Sequence, residues 1–187
     1  MKLILLRCPK CSEPLKPNND DIVIACHNCS SSVHIDENGP KLINTRYALP
    51  SKIKEDIEVW VPFWVFEGQV KIKKRVTQSS RRLSTKDSLT MWQELQRFYV
   101  PAWDLTVHKA QDIGSKLAHR QPEMLYIEQP AGLKLTPANV SPADALRLLE
   151  FIVLAIEARR NDWLKEIEFE VEVGDPELYA LPEAAVS

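Results

Sequence analysis

Two short cysteine pairs near the start constrain this chain more than anything else in it: Cys8-Pro9-Lys10-Cys11 and Cys26-His27-Asn28-Cys29. They contain all four cysteines, each pair has C-x-x-C spacing, and residues 12–25 separate them. Four thiolates so spaced converge on one tetrahedral metal ion, and zinc is the first candidate. Each C-x-x-C turn lets two sulfurs approach the ion while backbone amides point at them. Pro9 fixes the backbone of the first turn and removes one amide donor. Between the pairs, Ile22-Val23-Ile24-Ala25 reads as a strand delivering Cys26 and Cys29 to the ion. Ser32-Val33-His34-Ile35 then pairs back toward a turn at Asn38-Gly39. Four thiolates on a divalent ion leave a net charge of about -2, which Arg7 and Lys10 partly offset. His27 and His34 read as solvent-facing or as outer neighbours of the site, because four cysteines already fill the shell.

The segment resembles the zinc-ribbon family, of the type seen in transcription-factor and replication-factor ribbons. The resemblance covers residues 1 to about 36 and is specific for a metal site, not for a function. Family knuckles often carry a glycine just after the second cysteine, and here Ser12 and Ser30 stand in both places. The resemblance implies one structural zinc on Cys8, Cys11, Cys26 and Cys29. A rubredoxin-like iron site uses the same ligands but a much longer spacing between knuckles. Redox or disulfide chemistry is the third reading. Metal binding is expected to fold this module, residues 1–45, which is unfolded without it.

The 187 residues suffice for one sizeable core plus such a module, and 44% apolar with 27% charged residues is ordinary for a globular chain. The formal net charge of -2 hides an uneven distribution. Residues 69–86 carry seven basic side chains and no acidic one, whereas residues 162–187 carry eight acidic side chains and one lysine. The first residues, Met1 to Cys8, contain an apolar run too short for a signal-peptide core, so a strand entering the first knuckle is expected instead. No stretch approaches the roughly 20 apolar residues that span a bilayer. Reduced thiols and a cytoplasmic location follow as expectations.

Pro40 to Lys54 is transitional, and a second domain is expected over residues 46–187. Asp56 to Phe66 reads as a strand in which Pro62 demands an edge or a bulge, Glu67-Gly68 as a turn, and Gln69 to Thr77 as the return strand. On the latter, Val70, Ile72 and Val76 should face one way and Lys71, Lys73 and Arg75 the other. Two short motifs recur: Trp60-Val61-Pro62-Phe63-Trp64 is echoed by Tyr99-Val100-Pro101-Ala102-Trp103, and Tyr-Ala-Leu-Pro occurs at Tyr47–Pro50 and Tyr179–Pro182. They mark either matched core strands or an exposed aromatic face. A helix capped by Asp104 should run to about Arg120 along Thr106, Ala110, Ile113 and Leu117, weakened by Gly114. A stronger helix follows, with Ser141 as N-cap, Pro142 first and Asp144 completing a capping box. Its apolar residues surround nearly the whole circumference, which predicts burial. Leu125 to Ile127 is a short strand. In the last strand Ile167, Phe169, Val171 and Val173 alternate with four glutamates, so it should lie beside the basic strand with opposite charges on one face. The expected fold is α+β: a zinc ribbon followed by an antiparallel sheet of five or six strands with two main helices on one face.

Signatures of chemistry are sparse. Five glycines stand singly, which excludes a glycine-rich phosphate loop, and there is no G-x-S-x-G elbow, no H-E-x-x-H and no cysteine outside the two pairs. The expected function is therefore a non-catalytic zinc-binding adaptor or scaffold subunit. It docks protein partners through the ribbon and through an aromatic–proline surface of Trp60, Trp64, Tyr99 and Trp103. The alternative is a nucleic-acid-associated factor using the basic 71–86 region, with Arg81, Arg82 and Lys86 as its uncompensated cations in a loop over Val76 to Ser84. Iron electron transfer through the four cysteines is a second alternative.

Overall fold

The computed structural model describes residues 5–50, 57–78, 82–130, 132 and 134–186. The ribbon is a three-stranded antiparallel sheet of β1 (Val23–Ala25), β2 (Ser32–Asp36) and β3 (Gly39–Leu42). Gly39 turns the chain between the last two with φ of 108°, a conformation open to glycine. A mixed six-stranded sheet follows, made of β4 (Thr45–Pro50), β5 (Trp60–Thr77), β6 (Gln96–Pro101), β7 (Met124–Ile127), β8 (Leu164–Val173) and β9 (Glu177–Pro182). Its order is β6-β5-β9-β4-β7, with β8 paired to the far half of β5. Among the described residues three α-helices accompany it: α1 (Arg82–Gln93), α2 (Val107–Arg120) and α3 (Pro142–Ala158). The fold is α+β as expected, with one parallel pair (β4 with β9) in place of a wholly antiparallel sheet, and with α1 as a third helix. No helix among the described residues is long and apolar enough to cross a membrane.

The expected turn at Glu67-Gly68 is not there: β5 runs unbroken through 18 residues. Gly68 is required by a close approach. A Cβ on it would lie 2.1 Å from the Glu172 carbonyl oxygen and 2.7 Å from Val173 Cα, at the point where β8 takes over from β9 along β5. Pro62 sits inside this central strand, at neither an edge nor a bulge. It is tolerated because the β6 ladder begins only at Phe63, and the Pro62 carbonyl accepts the Ala102 amide at 3.0 Å.

The basic and acidic strands do pair. Lys71 reaches Glu172, Lys73 reaches Glu170 at 2.8 Å, and Lys74 reaches Glu166 at 2.7 Å. The predicted alternation fails midway, however. The register steps from Ile72↔Phe169 to Lys74↔Glu168, so Lys73 is an extra residue in β5. Such a bulge shifts side-chain parity by one. Val76 is consequently 38% exposed, and Arg75 turns inward to a side-chain exposure of 2%.

Arg75 enters a buried ionic cluster. Its Nε donates to Glu157 Oε2 at 2.7 Å and its Nη2 to Asp162 Oδ1 at 3.0 Å. Glu157 Oε1 accepts Ser88 Oγ at 2.9 Å, Trp92 Nε1 at 2.7 Å and Arg160 Nε at 2.6 Å. Two arginines thus balance two carboxylates, and α1, α3, β5 and the turn before β8 are joined through one point. Burial alone would raise the Glu157 carboxyl, but Trp92, Arg75, Arg160 and Ser88 outweigh it and hold it below its ordinary value.

The helices follow local rules. Ser141 caps α3, its Oγ accepting the Asp144 amide at 3.1 Å, with Pro142 at the first position. Thr106, not Asp104, caps α2: its Oγ1 accepts the Lys109 amide at 3.4 Å. Gly114 lets α2 and α3 close on each other, since a Cβ there would sit 2.4 Å from Ile152 Cδ1. The expectation that α3 is buried all round does not hold, because Leu146, Phe151 and Leu154 lie on its exposed side.

The ribbon packs directly on the larger sheet. Val23 belongs to the main core, with Trp64, Phe66, Leu149 and Leu178. Its amide donates to the Ala138 carbonyl at 3.0 Å, and the Ala138 amide returns a bond to the Val23 carbonyl at 2.8 Å. Thr45 Oγ1 donates to Ser32 Oγ at 2.7 Å where the chain passes from one sheet to the other.

Candidate metal centre

Local backbone geometry builds the four-cysteine site. In the first knuckle the Ser12 amide donates to the Cys8 carbonyl at 2.9 Å, and in the second the Ser30 amide donates to the Cys26 carbonyl at 2.7 Å. The Cys8 amide donates to the Glu13 carbonyl and the Cys26 amide to the Ser31 carbonyl, both at 2.9 Å. The two knuckles therefore share one construction. Ser12 and Ser30 carry positive φ values of 63° and 56°, the left-handed backbone that glycine supplies without cost. The serines hold the knuckle shape at some strain.

All four sulfurs lie within 4.8 Å of one another. Cys8 and Cys29 are 3.6 Å apart across the two knuckles, as are Cys11 and Cys26. A tetrahedral ion with metal–sulfur bonds of about 2.3 Å has sulfur–sulfur edges of about 3.8 Å. The group can therefore hold one metal ion, and the cysteines are thiols, not disulfides. Cys8 and Cys26 are buried, Cys11 and Cys29 half-buried, with Leu15, Ile24 and Val33 packed around them. Burial pushes the Cys26 thiol up to about 11, whereas the Ser31 hydroxyl, 3.5 Å from Cys29 Sγ, brings Cys29 down to about 6. Sequence reasoning passed over Ser31; its only signal was a hydroxyl two residues after a ligand. His27 is exposed and lies 3.4 Å from Glu13, away from the sulfurs.

The other candidate residues are not brought together. Trp60, Trp64 and Tyr99 are buried, at 3%, 2% and 2% exposure, which corrects their reading as exposed anchors. The bulkiest residues of the recurring motifs fill the core because β5 lies between β6 and β9, while β6, at the edge of the sheet, has α2 and α3 packed against it. Trp60 packs edge-on against Tyr47 at 5.6 Å, and Trp64 Nε1 donates to the Val140 carbonyl at 2.7 Å. Half-buried Trp103 packs edge-on against Phe63 at 5.1 Å. Arg81 lies outside the described residues, Arg82 opens α1, and Lys86 is exposed on the same helix. The expected loop over Val76 to Ser84 is therefore strand to Thr77 and helix from Arg82.

Beside the metal centre, a cleft of about 800 Å³ separates the ribbon from the large sheet, with Lys10, Ser31, Arg46 and Tyr126 in its walls. Arg46 lies 6.0 Å above the Tyr126 ring and donates to Glu177 at 2.7 Å. Arg97 donates to the Tyr126 hydroxyl at 3.1 Å, and Tyr126 and Tyr179 hydroxyls are 3.2 Å apart. Burial raises the Tyr179 phenol above its usual range. These groups satisfy one another. No protein-family model matches the sequence, and no curated protein and no solved structure is significantly similar to it.

Proposed function

We propose that this protein is a non-catalytic zinc-binding adaptor or scaffold subunit whose ribbon offers a metal-stiffened surface to a protein partner. The observation that carries the reading is the closure of the ligand set: four convergent sulfurs, two of them buried, leave an ion no open position for water or substrate. Zinc fits such a set and would fix shape without redox chemistry. The exposed knuckle tips Pro9, Lys10, His27 and Asn28 are what the ion would hold in place. Their stiffness relative to the body comes from Val23, which is shared between ribbon and main core. A preorganised surface of this kind lowers the cost of docking. The aromatic residues of β5 and β6 have no part in the interface.

The test is native purification in nuclease-treated and untreated halves, with metal analysis of the product. The reading expects one zinc per chain and a stoichiometric protein partner that survives nuclease and moderate salt but is lost after chelation. A clean monomer, or a partner that persists after the metal is stripped, would refute it. A red, iron-loaded protein would transfer the site to electron transfer.

A further inference from the structure

A second surface has the composition of a binding site. Where the last turns of α2 and α3 come together, a groove of about 370 Å³ is lined by Ser115, Lys116, His119, Arg120, Ile156, Arg159 and Arg160. Five of these seven carry basic side chains and none carries a carboxylate. Cations near helix C-termini are expected on electrostatic grounds alone, since they offset exposed carbonyls. Three carbonyls in the last turns of α2 are already engaged. The Leu117 carbonyl accepts the Gln121 amide at 2.9 Å, the Ala118 carbonyl accepts Gln121 Nε2 at 3.0 Å, and His119 Nδ1 lies 2.8 Å from the Ser115 carbonyl.

The carboxylates that approach the groove are likewise taken. Asp112 is engaged by Arg159, and Glu157 by Arg160, Arg75, Ser88 and Trp92. Arg160 is held on one side by Glu157 and by Met91 Sδ at 3.3 Å, and its Nη1 has no partner among the described residues. Lys116 and Arg120 form no ion pair among the described residues, and a lysine and an arginine bring three and five N–H donors. In the same wall Ser115 is 5% exposed and its hydroxyl has no hydrogen-bond partner among the described residues. A buried hydroxyl without a partner, two exposed cations outside any ion pair and an arginine held at one edge form a donor set that a tetrahedral oxyanion satisfies.

We propose that the groove between the ends of α2 and α3 binds a phosphate group, with Lys116, Arg120 and the open edge of Arg160 as charged donors and Ser115 at its floor. The experiment titrates inorganic pyrophosphate into the full-length, metal-loaded chain by calorimetry. One saturable site per chain is expected, weakened about tenfold or more by Lys116→Ala or Arg120→Ala. Lys73→Ala removes a surface cation elsewhere and should leave the affinity unchanged. Arg160 is spared because its loss would disturb the buried cluster. A competing single-stranded oligonucleotide separates the two sources of phosphate: displacement of pyrophosphate assigns a nucleic-acid backbone, and failure to displace it assigns a free or small-molecule phosphate. Absence of saturable pyrophosphate binding, or equal weakening by Lys73→Ala, overturns the proposal.

Discussion

Glu157→Gln is the substitution that most directly tests what holds the helices to β5. The side chain is fully buried, and its two oxygens accept from Ser88, Trp92, Arg160 and Arg75. Glutamine keeps the shape but removes the charge, and turns an N–H₂ group toward donors on whichever side it faces. Arg75 and Arg160 are then left with Asp162 as the sole buried counter-charge of the cluster. Breaking a buried pair from one side typically costs about 3–5 kcal/mol, and the easier burial of an amide offsets part of that. A loss of about 3 kcal/mol is expected, a large share of the roughly 5–15 kcal/mol that stabilises a domain. With a urea dependence of about 2 kcal/mol per molar, the midpoint should fall by roughly 1.5 M. The assay is urea unfolding followed by tryptophan fluorescence in excess zinc, with Glu170→Gln as the matched control. Glu170 and its partner Lys73 are both more than half exposed, so that change should cost no more than about 0.5 kcal/mol. Equal effects of the two substitutions would refute the assignment of the buried cluster as the main electrostatic tie.

Acid should act through the same carboxylate. Because its folded value is depressed, Glu157 contributes stability that is complete above the ordinary glutamate value of about 4.3 and is lost as pH falls through the folded value. Unfolding midpoints measured from pH 6 downward should therefore drop less steeply in Glu157→Gln than in the parent chain. At the knuckles, Ser12→Gly and Ser30→Gly relieve left-handed strain of about 1–2 kcal/mol against a glycine entropy cost of about 0.5–1. Each should slow metal loss to a competing chelator, whereas valine at either position should speed it. Gly114→Ala gains helix propensity of about 1 kcal/mol but meets Ile152 at 2.4 Å, an overpacking cost of about 1–3. Thermal unfolding should show a net loss that Ile152→Val, which removes the clashing Cδ1, partly restores in the double variant.

What could be read from the sequence was what local chemistry decides. The C-x-x-C pairs placed four sulfurs together because each turn is short enough to determine its own geometry. The Ser141-Pro142-Asp144 signal started α3 at the right residue because an N-cap needs only its own first turn. Opposite charges on two alternating stretches identified β5 and β8 as neighbours across nearly a hundred residues of chain. Features that depend on distant packing were misread. Gly68 looked like a turn because its true constraint is the backbone of β8, which comes much later in the chain. The Pro-containing aromatic motifs favour matched core strands without excluding a surface, and the place of β5 between β6 and β9 decides for the core. α1 went unnoticed for a different reason: Arg82–Gln93 is rich in serine and threonine, so neither propensity nor a strong apolar stripe announces it.

Arg75 shows how one residue of register carries through to tertiary structure. The run Lys71-Ile72-Lys73-Lys74-Arg75 offers three lysines and an arginine to a strand with four glutamates, and strict alternation would put Lys71, Lys73 and Arg75 outside. The bulge at Lys73 seats Lys71, Lys73 and Lys74 opposite glutamates and sends Arg75 inward. The residue that goes inside is the one whose planar, always-charged fork can bind two carboxylates together. A lysine there would offer a single ammonium to both Glu157 and Asp162. Without the bulge, Val76 would be buried and Arg75 exposed, so Glu157 and Asp162 would lose their central cation. The irregularity in β5 and the buried cluster therefore depend on each other, and neither has a signature in the local sequence.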